Sequence, residues 1–469
     1  MTTRIMCVHE HIFFLLGPAA RSRGLSLFAH RAYRRLFAAQ VSALCGTGLA
    51  TVALGLLAYE LAGRDAGLVL GTALTIKMAV YVTVAPVAAA YADRLPRRGL
   101  LVALDLVRVA AASSLPFVQE VWQVYLSIAV LQTASAVFTP AFQAVLPDIL
   151  PDDRDYTRAL SAAQLAATME TLLSPVLAAV LLTVLDFHRL FAGTALGFLV
   201  SAILVAGTAI PDPVRRAVTG IWDRTAVGLR IFAATPRLRG LLGVNLVVAA
   251  VGSVVMVDTV NYVRDALGGS PADVAVLLAA NGFGTMLAAL AVPPVLARVG
   301  ERPVVLAGAG TLVLGIATAI AMTLSGPGSR AVALAVWALI GAGTGLAITP
   351  AGRVLRRSAH PTDRPALFAA QFSLSHLCWL VTYPVVGRLT TSAGFTIAWI
   401  VPALLAGAGL VVALRYWPRH DPAALDHLHD DRIDPGHLHD AVPVGAHSYR
   451  HSHTFVIDDD HRRWPTPVG

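Results

Sequence analysis

The sequence predicts an all-α polytopic membrane protein with twelve transmembrane helices in two six-helix pseudo-repeats. Three observations lead there. The 469-residue chain is 56% hydrophobic and only 14% charged, with a mean hydropathy of +0.67, where a soluble chain carries about 25% charged residues. Its apolar residues gather into stretches of about 20, the length a helix needs to cross a hydrocarbon core about 30 Å thick. Its arginines alternate from loop to loop in the pattern that fixes membrane orientation.

The stretches run over 36–62, 67–92, 99–118, 121–144, 158–185, 189–210, 239–263, 273–297, 303–324, 330–350, 366–388 and 394–416. Several turns between them are tight. Gly63 to Ala66 joins the first two, Gln119 and Glu120 divide the third from the fourth, and Gly326-Pro327-Gly328 follows the ninth. With both termini in the cytoplasm, the inside loops and their flanks hold 24 arginines. The outside loops hold five: Arg64, Arg189, Arg264, Arg330 and Arg388. A missed span would scramble this alternation, so the bias supports both the number of spans and their direction. The net charge of +8 is therefore read as a topology signal and not as a nucleic-acid footprint. Cys7, Cys45 and Cys378 form neither a disulfide framework nor a metal-site spacing. An apolar run from Ile12 to Leu16 resembles a short signal-peptide core. His9, Glu10 and His11 precede it and arginines follow, so residues 1–35 read as a cytoplasmic arm.

An internal repeat divides the chain. Ala85-Pro86-Val87 through Arg94-Leu95-Pro96 aligns with Val292-Pro293-Pro294 through Glu301-Arg302-Pro303. Thr139-Pro140-Ala141 aligns with Thr349-Pro350-Ala351, and Ser174-Pro175-Val176 with Tyr383-Pro384-Val385. The offset is nearly constant, and each match falls in the equivalent helix of its half. The expected parts are a six-helix half over 36–210, a cytoplasmic linker over 211–238, a second half over 239–416 and a tail over 417–469. The linker reads as amphipathic around Trp222 to Phe232.

Two parallel six-helix repeats are the layout of a transporter with its site between the halves. The stretch Ala89-x-Tyr91-Ala92-Asp93-Arg94-x-Pro96-Arg97-Arg98 resembles the loop 2–3 motif G-x-x-x-D-R-x-G-R-R of the major facilitator superfamily, with both glycines replaced. Glu170-x-x-x-Ser174-Pro175-x-x-Ala178-Ala179 is similar to that superfamily's exporter signature g-x-x-x-G-P-x-x-G-G. The likeness extends over about 30–416, and the Thr139-Pro140 to Pro147 stretch is closest to the branch with siderophore, macrolide and nickel exporters. The resemblance implies alternating access, a proton-coupled efflux function, a plasma-membrane location, a monomer and no cofactor. It makes Asp93, Arg94, Arg97 and Arg98 an electrostatic latch. Asp105 and Arg108, one turn apart in the third span, are read as part of that latch near the cytoplasmic end. Many drug–proton antiporters carry an arginine in the fourth helix. None occurs here between Arg108 and Arg154, which leaves Glu170 as the best-placed proton carrier.

Ionisable residues at membrane depth are costly and point to function. Lys77, Glu170 and His376 fall midway along the second, fifth and eleventh spans, on helices that line the seam between halves in this fold. Lys77 and Glu170 read either as a working pair in the transport path or as a structural ion pair. His376 reads as a pathway group or a packing residue. Asn245 and Asn281, with Asp258 and Asn261, are candidate pore-lining groups. Gly46-Thr47-Gly48 and Gly341-x-Gly343-x-Gly345 are close-contact or gating positions.

Residues 420–469 hold nine of the fifteen histidines and nine aspartates. His427/His429, His437/His439 and His451/His453 are His-x-His pairs, which chelate in an extended chain and suit nickel, cobalt, zinc or copper. The tail reads as a metal buffer, as in the nickel-resistance permease it resembles, or as a solvated low-complexity segment. The expected partners are the lipid bilayer, protons and a small-molecule or metal-ion substrate. A membrane-embedded enzyme has only Asp148-x-x-x-Asp152 to offer. Pro147 and Pro151 break the helix such a site needs, and no second acidic motif mirrors it. A non-transporting sensor lacks a signalling domain.

Overall fold

A computed structural model describes residues 27–91, 96–150, 152–211, 221–325, 329–360, 363–421, 424–430, 442–445, 448–457, 461 and 464–465. The chain is a helical membrane protein of the expected class. The six helices of the first half are α1 (Arg31–Ala62), α2 (Ala66–Tyr91), α3 (Arg97–Ser114), α4 (Val121–Ile149), α5 (Asp153–Leu181) and α6 (His188–Ala206). The linker contributes α7 (Ile221–Ala234). The second half comprises α8 (Pro236–Asn261), α9 (Pro271–Val299), α10 (Glu301–Leu324), α11 (Arg330–Ile348), the short α12 (Ala351–Arg356) and α13 (Arg364–Tyr416). Each of the twelve sequence stretches is helical over most of its length among the described residues. Among the described residues, nine helical stretches are long and apolar enough to cross a membrane. Two of them, Arg31–Val84 and Ala366–Tyr416, each hold two consecutive spans.

Helix boundaries differ from the sequence reading by up to about five residues, and two of the differences have a clear cause. The fourth helix continues past position 147 to Ile149 and stops at Leu150, ahead of Pro151. A proline in the last turn removes one hydrogen bond, whereas the residue before a proline is driven out of the helical region. The eleventh and twelfth spans are the two arms of α13, and only Gly394 separates them, at φ 76° and ψ 174°. A residue without Cβ takes that conformation without strain, so a single position makes the hairpin. Side chains also cap helices where they start. Ser270 and Asp273 form a reciprocal capping box on α9, and the Ser329 hydroxyl accepts from Val332 N–H on α11.

Large apolar side chains stay exposed around the bundle, among them Val180, Leu196, Ile203, Leu290, Leu404 and Val411. Such a belt is stable only against lipid. The tail folds into a three-stranded antiparallel sheet, β1 (Ala424–Asp430), β2 (Val442–Gly445) and β3 (Ser448–Thr454), in the order β1-β3-β2. Beyond β3, buried Phe455 and Ile457 join the main hydrophobic core, which draws on both halves, and Trp464 packs against it.

Candidate functional site

α1 begins and α13 ends at one face of the bundle, the terminal face, and the opposite one is the distal face. Midway between them the two halves bring ionisable groups together. Lys77 and Tyr81 lie one turn apart on α2. The Lys77 ammonium is within electrostatic reach of Glu170 on α5 and of His376 on α13. Tyr81 stacks on His376 with ring centroids 5.7 Å apart and planes 20° from parallel, and Phe372 lies 6.1 Å away. His376 Nδ1 is 2.7 Å from the Phe372 carbonyl. A carbonyl only accepts, so Nδ1 carries the hydrogen and the neutral ring keeps its Nε2 lone pair free to accept. Lys77, Glu170 and His376 are all half-buried.

Glycine sets how close α5 comes to α1. A Cβ at Gly48 would overlap the Ser174 side chain and touch Glu170 Oε1. The Ser174-Pro175 stretch of α5 therefore packs directly on α1 and carries Glu170 inward with it. Tyr81 was missed by the sequence reading, although its spacing of four residues from Lys77 puts it on the same helix face.

At the distal face the halves are joined. The Tyr59 hydroxyl of α1 donates to Asp265 Oδ1 at 2.6 Å, and the Arg264 guanidinium lies 5.3 Å above the Tyr59 ring. Asn261 Nδ2 donates to the Arg64 carbonyl at 3.1 Å. Backbone meets backbone where Gly67 and Gly71 of α2 lie against Gly387 of α13. Beside this seam the Asp186 carboxylate accepts from the His188 backbone N–H at 2.9 Å and from the His188 ring at 2.6 Å. These bonds hold it below the usual carboxylate range.

At the terminal face each half ties its own helices. Arg97 at the start of α3 pairs with Asp148 at the end of α4. In the second half Glu301 at the start of α10 pairs with Arg353 at 2.5 Å and with Arg357 at 3.8 Å. Arg357 also pairs with Asp421, which binds buried Arg237 at 2.9 Å. The Arg237 guanidinium lies 4.9 Å from the Trp464 ring, so the tail is clamped onto the end of α8. Sequence reading missed the pairing roles of Asp148 and Asp421 because their partners are far along the chain.

The remaining sequence-derived residues fall as follows. Asp93 and Arg94 lie outside the described residues, and Arg98 is exposed. Asp105 and Arg108 lie inside the first half, well in from the terminal face. They pair with each other, Ser201 donates to Asp105 at 2.8 Å, and Arg108 is sandwiched between Phe138 (3.9 Å) and Phe198 (4.6 Å). A charge in that position is satisfied locally, which ties α3 to α4 and α6 and keeps the pair away from the terminal rim. Asn245 and Gln371 exchange two hydrogen bonds of 3.1 Å between α8 and α13. Asn281 donates to the Trp337 carbonyl at 3.1 Å, and Gly341, Gly343 and Gly345 seat α11 against α9 and α10. His427, His429, His451 and His453 fall on strands. His427 and His451 are register partners, while His437 and His439 lie outside the described residues. Among the described residues no group of three or more metal-ligating side chains is close enough to hold an ion.

The comparisons agree with this architecture. Residues 36–263 and 241–435 match the family model described as Major Facilitator Superfamily. The chain is 27% identical over 352 residues to the uncharacterized MFS-type transporter YfiS of Bacillus subtilis (strain 168), covering 71% of this chain and 81% of the relative. Among solved structures it resembles a D-xylose–proton symporter, with TM-score 0.65, 15% identity, and 83% and 98% of the two chains covered. It also resembles the nucleoside transporter NupG, with TM-score 0.63, 15% identity, and 82% and 98% covered.

Proposed function

The chain belongs to the major facilitator superfamily, and from that premise we propose that it is a secondary active exporter of a small solute, coupled to protons. The observation that carries this reading is the gathering of Lys77, Tyr81 and Glu170 in one half at mid-membrane, with Tyr81 stacked on His376 of the other half. Lys77 keeps Glu170 ionised while the pair is together. Rocking of the halves draws them apart in a drier setting, and the uncompensated carboxylate is relieved by taking up a proton. The exporter-like Glu170 to Ala179 stretch supports the outward direction, and the arginine bias supports cytoplasmic termini in the plasma membrane. The unit of transport is the monomer, because one chain supplies both halves.

The test is uphill transport in vesicles. Glu170→Gln should abolish accumulation against a gradient while leaving downhill exchange. A variant that still concentrates substrate refutes the coupling role. In a second reading the solute is a divalent nickel- or cobalt-type metal, handed over by the tail. The register of β1 and β3, which sets His427 opposite His451, supports it. Isothermal titration of the full chain with nickel, cobalt and zinc, against a variant lacking 424–454, tests it. Equal binding by both chains returns the substrate to an organic solute.

A further inference from the structure

One buried acid plays no part in the mid-membrane site. Asp258 lies in α8 close to its distal end and is wholly buried. Its two oxygens are held separately: Thr390 Oγ1 is 2.7 Å from Oδ1, and the Trp399 indole N–H donates to Oδ2 at 2.8 Å. Among the described residues these neutral groups are its partners. At the distal ends of the elements around it the charged groups are Arg64 and Asp65 ahead of α2, Arg264 and Asp265 after α8, and Arg388 on α13. None of them is bonded to it. The Tyr262 phenol ring packs on the far partner, Trp399, at 5.1 Å.

Two features suit this carboxyl to hold and give up a proton. The Thr390 hydroxyl also lies 3.0 Å from the Val386 carbonyl. With Asp258 ionised, the hydroxyl donates to Oδ1. With Asp258 protonated, the hydroxyl accepts from it and donates to Val386 instead. In both forms Asp258 Oδ1 stays bonded to Thr390 without any heavy atom moving, and the protonated form adds the bond to Val386. The lid over the site belongs to the other half: a Cβ at Gly67 of α2 would lie 3.4 Å from Thr390 Cβ and 3.5 Å from Asp258 Oδ1. The glycine contacts that shut the distal seam therefore also shut Asp258 away from water.

We propose that Asp258, Thr390 and Trp399 form a proton site that controls the distal seam. It is loaded while α2 lies over it and releases to distal solvent when α2 lifts. The proton moves from the carboxyl oxygen to water, leaving the carboxylate with the Thr390 and Trp399 donors. The inference rests on alternating access but not on Glu170. Spin labels at exposed positions 65 and 388, in a full chain with its cysteines replaced, report the seam distance. Raising the pH should move molecules from the short to the long distance, by at most about tenfold in their ratio per pH unit for one proton. Asp258→Asn should stay short at every pH, while Glu170→Gln should start from a shifted ratio yet still lengthen as pH rises, so the two readings fail separately. Infrared difference spectra of the unaltered chain should lose a protonated-carboxyl band as the seam opens. A distance that ignores pH in the parent, a response that survives Asp258→Asn, or an unchanged carboxyl band overturns the proposal.

Discussion

Neutralising Asp421 should loosen the second half more than a surface mutation would. Its side chain is 8% exposed, and Arg237, which it meets at 2.9 Å, is 2% exposed. Removing one partner of a buried pair leaves the other charge stranded, at about 3–5 kcal/mol. Arg357 keeps Glu301 as an alternative partner, so the loss falls mainly on Arg237, and the lower figure of about 3 kcal/mol applies. For a unit of this size each kcal/mol moves Tm by about 2–4 °C, which puts Asp421→Asn about 6–12 °C below the parent. Tryptophan fluorescence on heating is a suitable assay, because Trp464 lies over the Arg237 guanidinium. Replacing both Arg237 and Asp421 with leucine should recover much of the loss, since no charge is left unpaired. A drop below about 2 °C for Asp421→Asn, or a double variant no better than the single one, would show that the clamp contributes nothing to stability.

Three further outcomes are expected. Cysteine at position 64 should react with an impermeant reagent added outside intact cells while cysteine at 222 should not, and equal labelling would refute the orientation. Gly48→Leu should lower the yield of folded protein, as its side chain would occupy the space of Ser174, and normal yield with normal transport would mean that α5 has room to retreat. Asp186 has a lowered folded pKa, so its contribution is present above about pH 4 and is lost as pH falls through the folded value. The Tm gap between parent and Asp186→Asn should hold steady above that pH and close below it, and a gap that persists in acid would assign the effect to packing.

The spans were legible because lipid demands long apolar helices and the arginines mark alternate loops. Glycine and proline marked the turns at Gly63 and after Leu324, whereas the hairpin at Gly394 needed coordinates to show that one residue does the work. The half-buried trio Lys77, Glu170 and His376 was legible as residue types too costly to place in a membrane without cause. Their neighbours were not. Tyr81 is an ordinary aromatic until His376 is seen stacked on it. Asp258 reads as a pore-lining group until Thr390 and Trp399, more than a hundred residues away, are found on its two oxygens. Asp105 and Arg108 were misplaced because one-turn spacing gives a local pair but not its depth relative to Phe138 and Phe198.

The terminal-face ties occupy equivalent places in the two halves with their signs exchanged. In the first, a cation opens the third helix and an anion closes the fourth; in the second, Glu301 opens α10 while Arg353 and Arg357 follow α11. This restricts where the chain can be recombined with itself. Two joined copies of one half would keep their ties, since each closes within its own six helices. A crossover between the third helix of one half and the fourth of the other would set Arg97 against Arg353 and Arg357, and its reciprocal would set Glu301 against Asp148. Breakpoints in the linker spare both ties, so the linker is where split or shuffled versions of this chain should be cut.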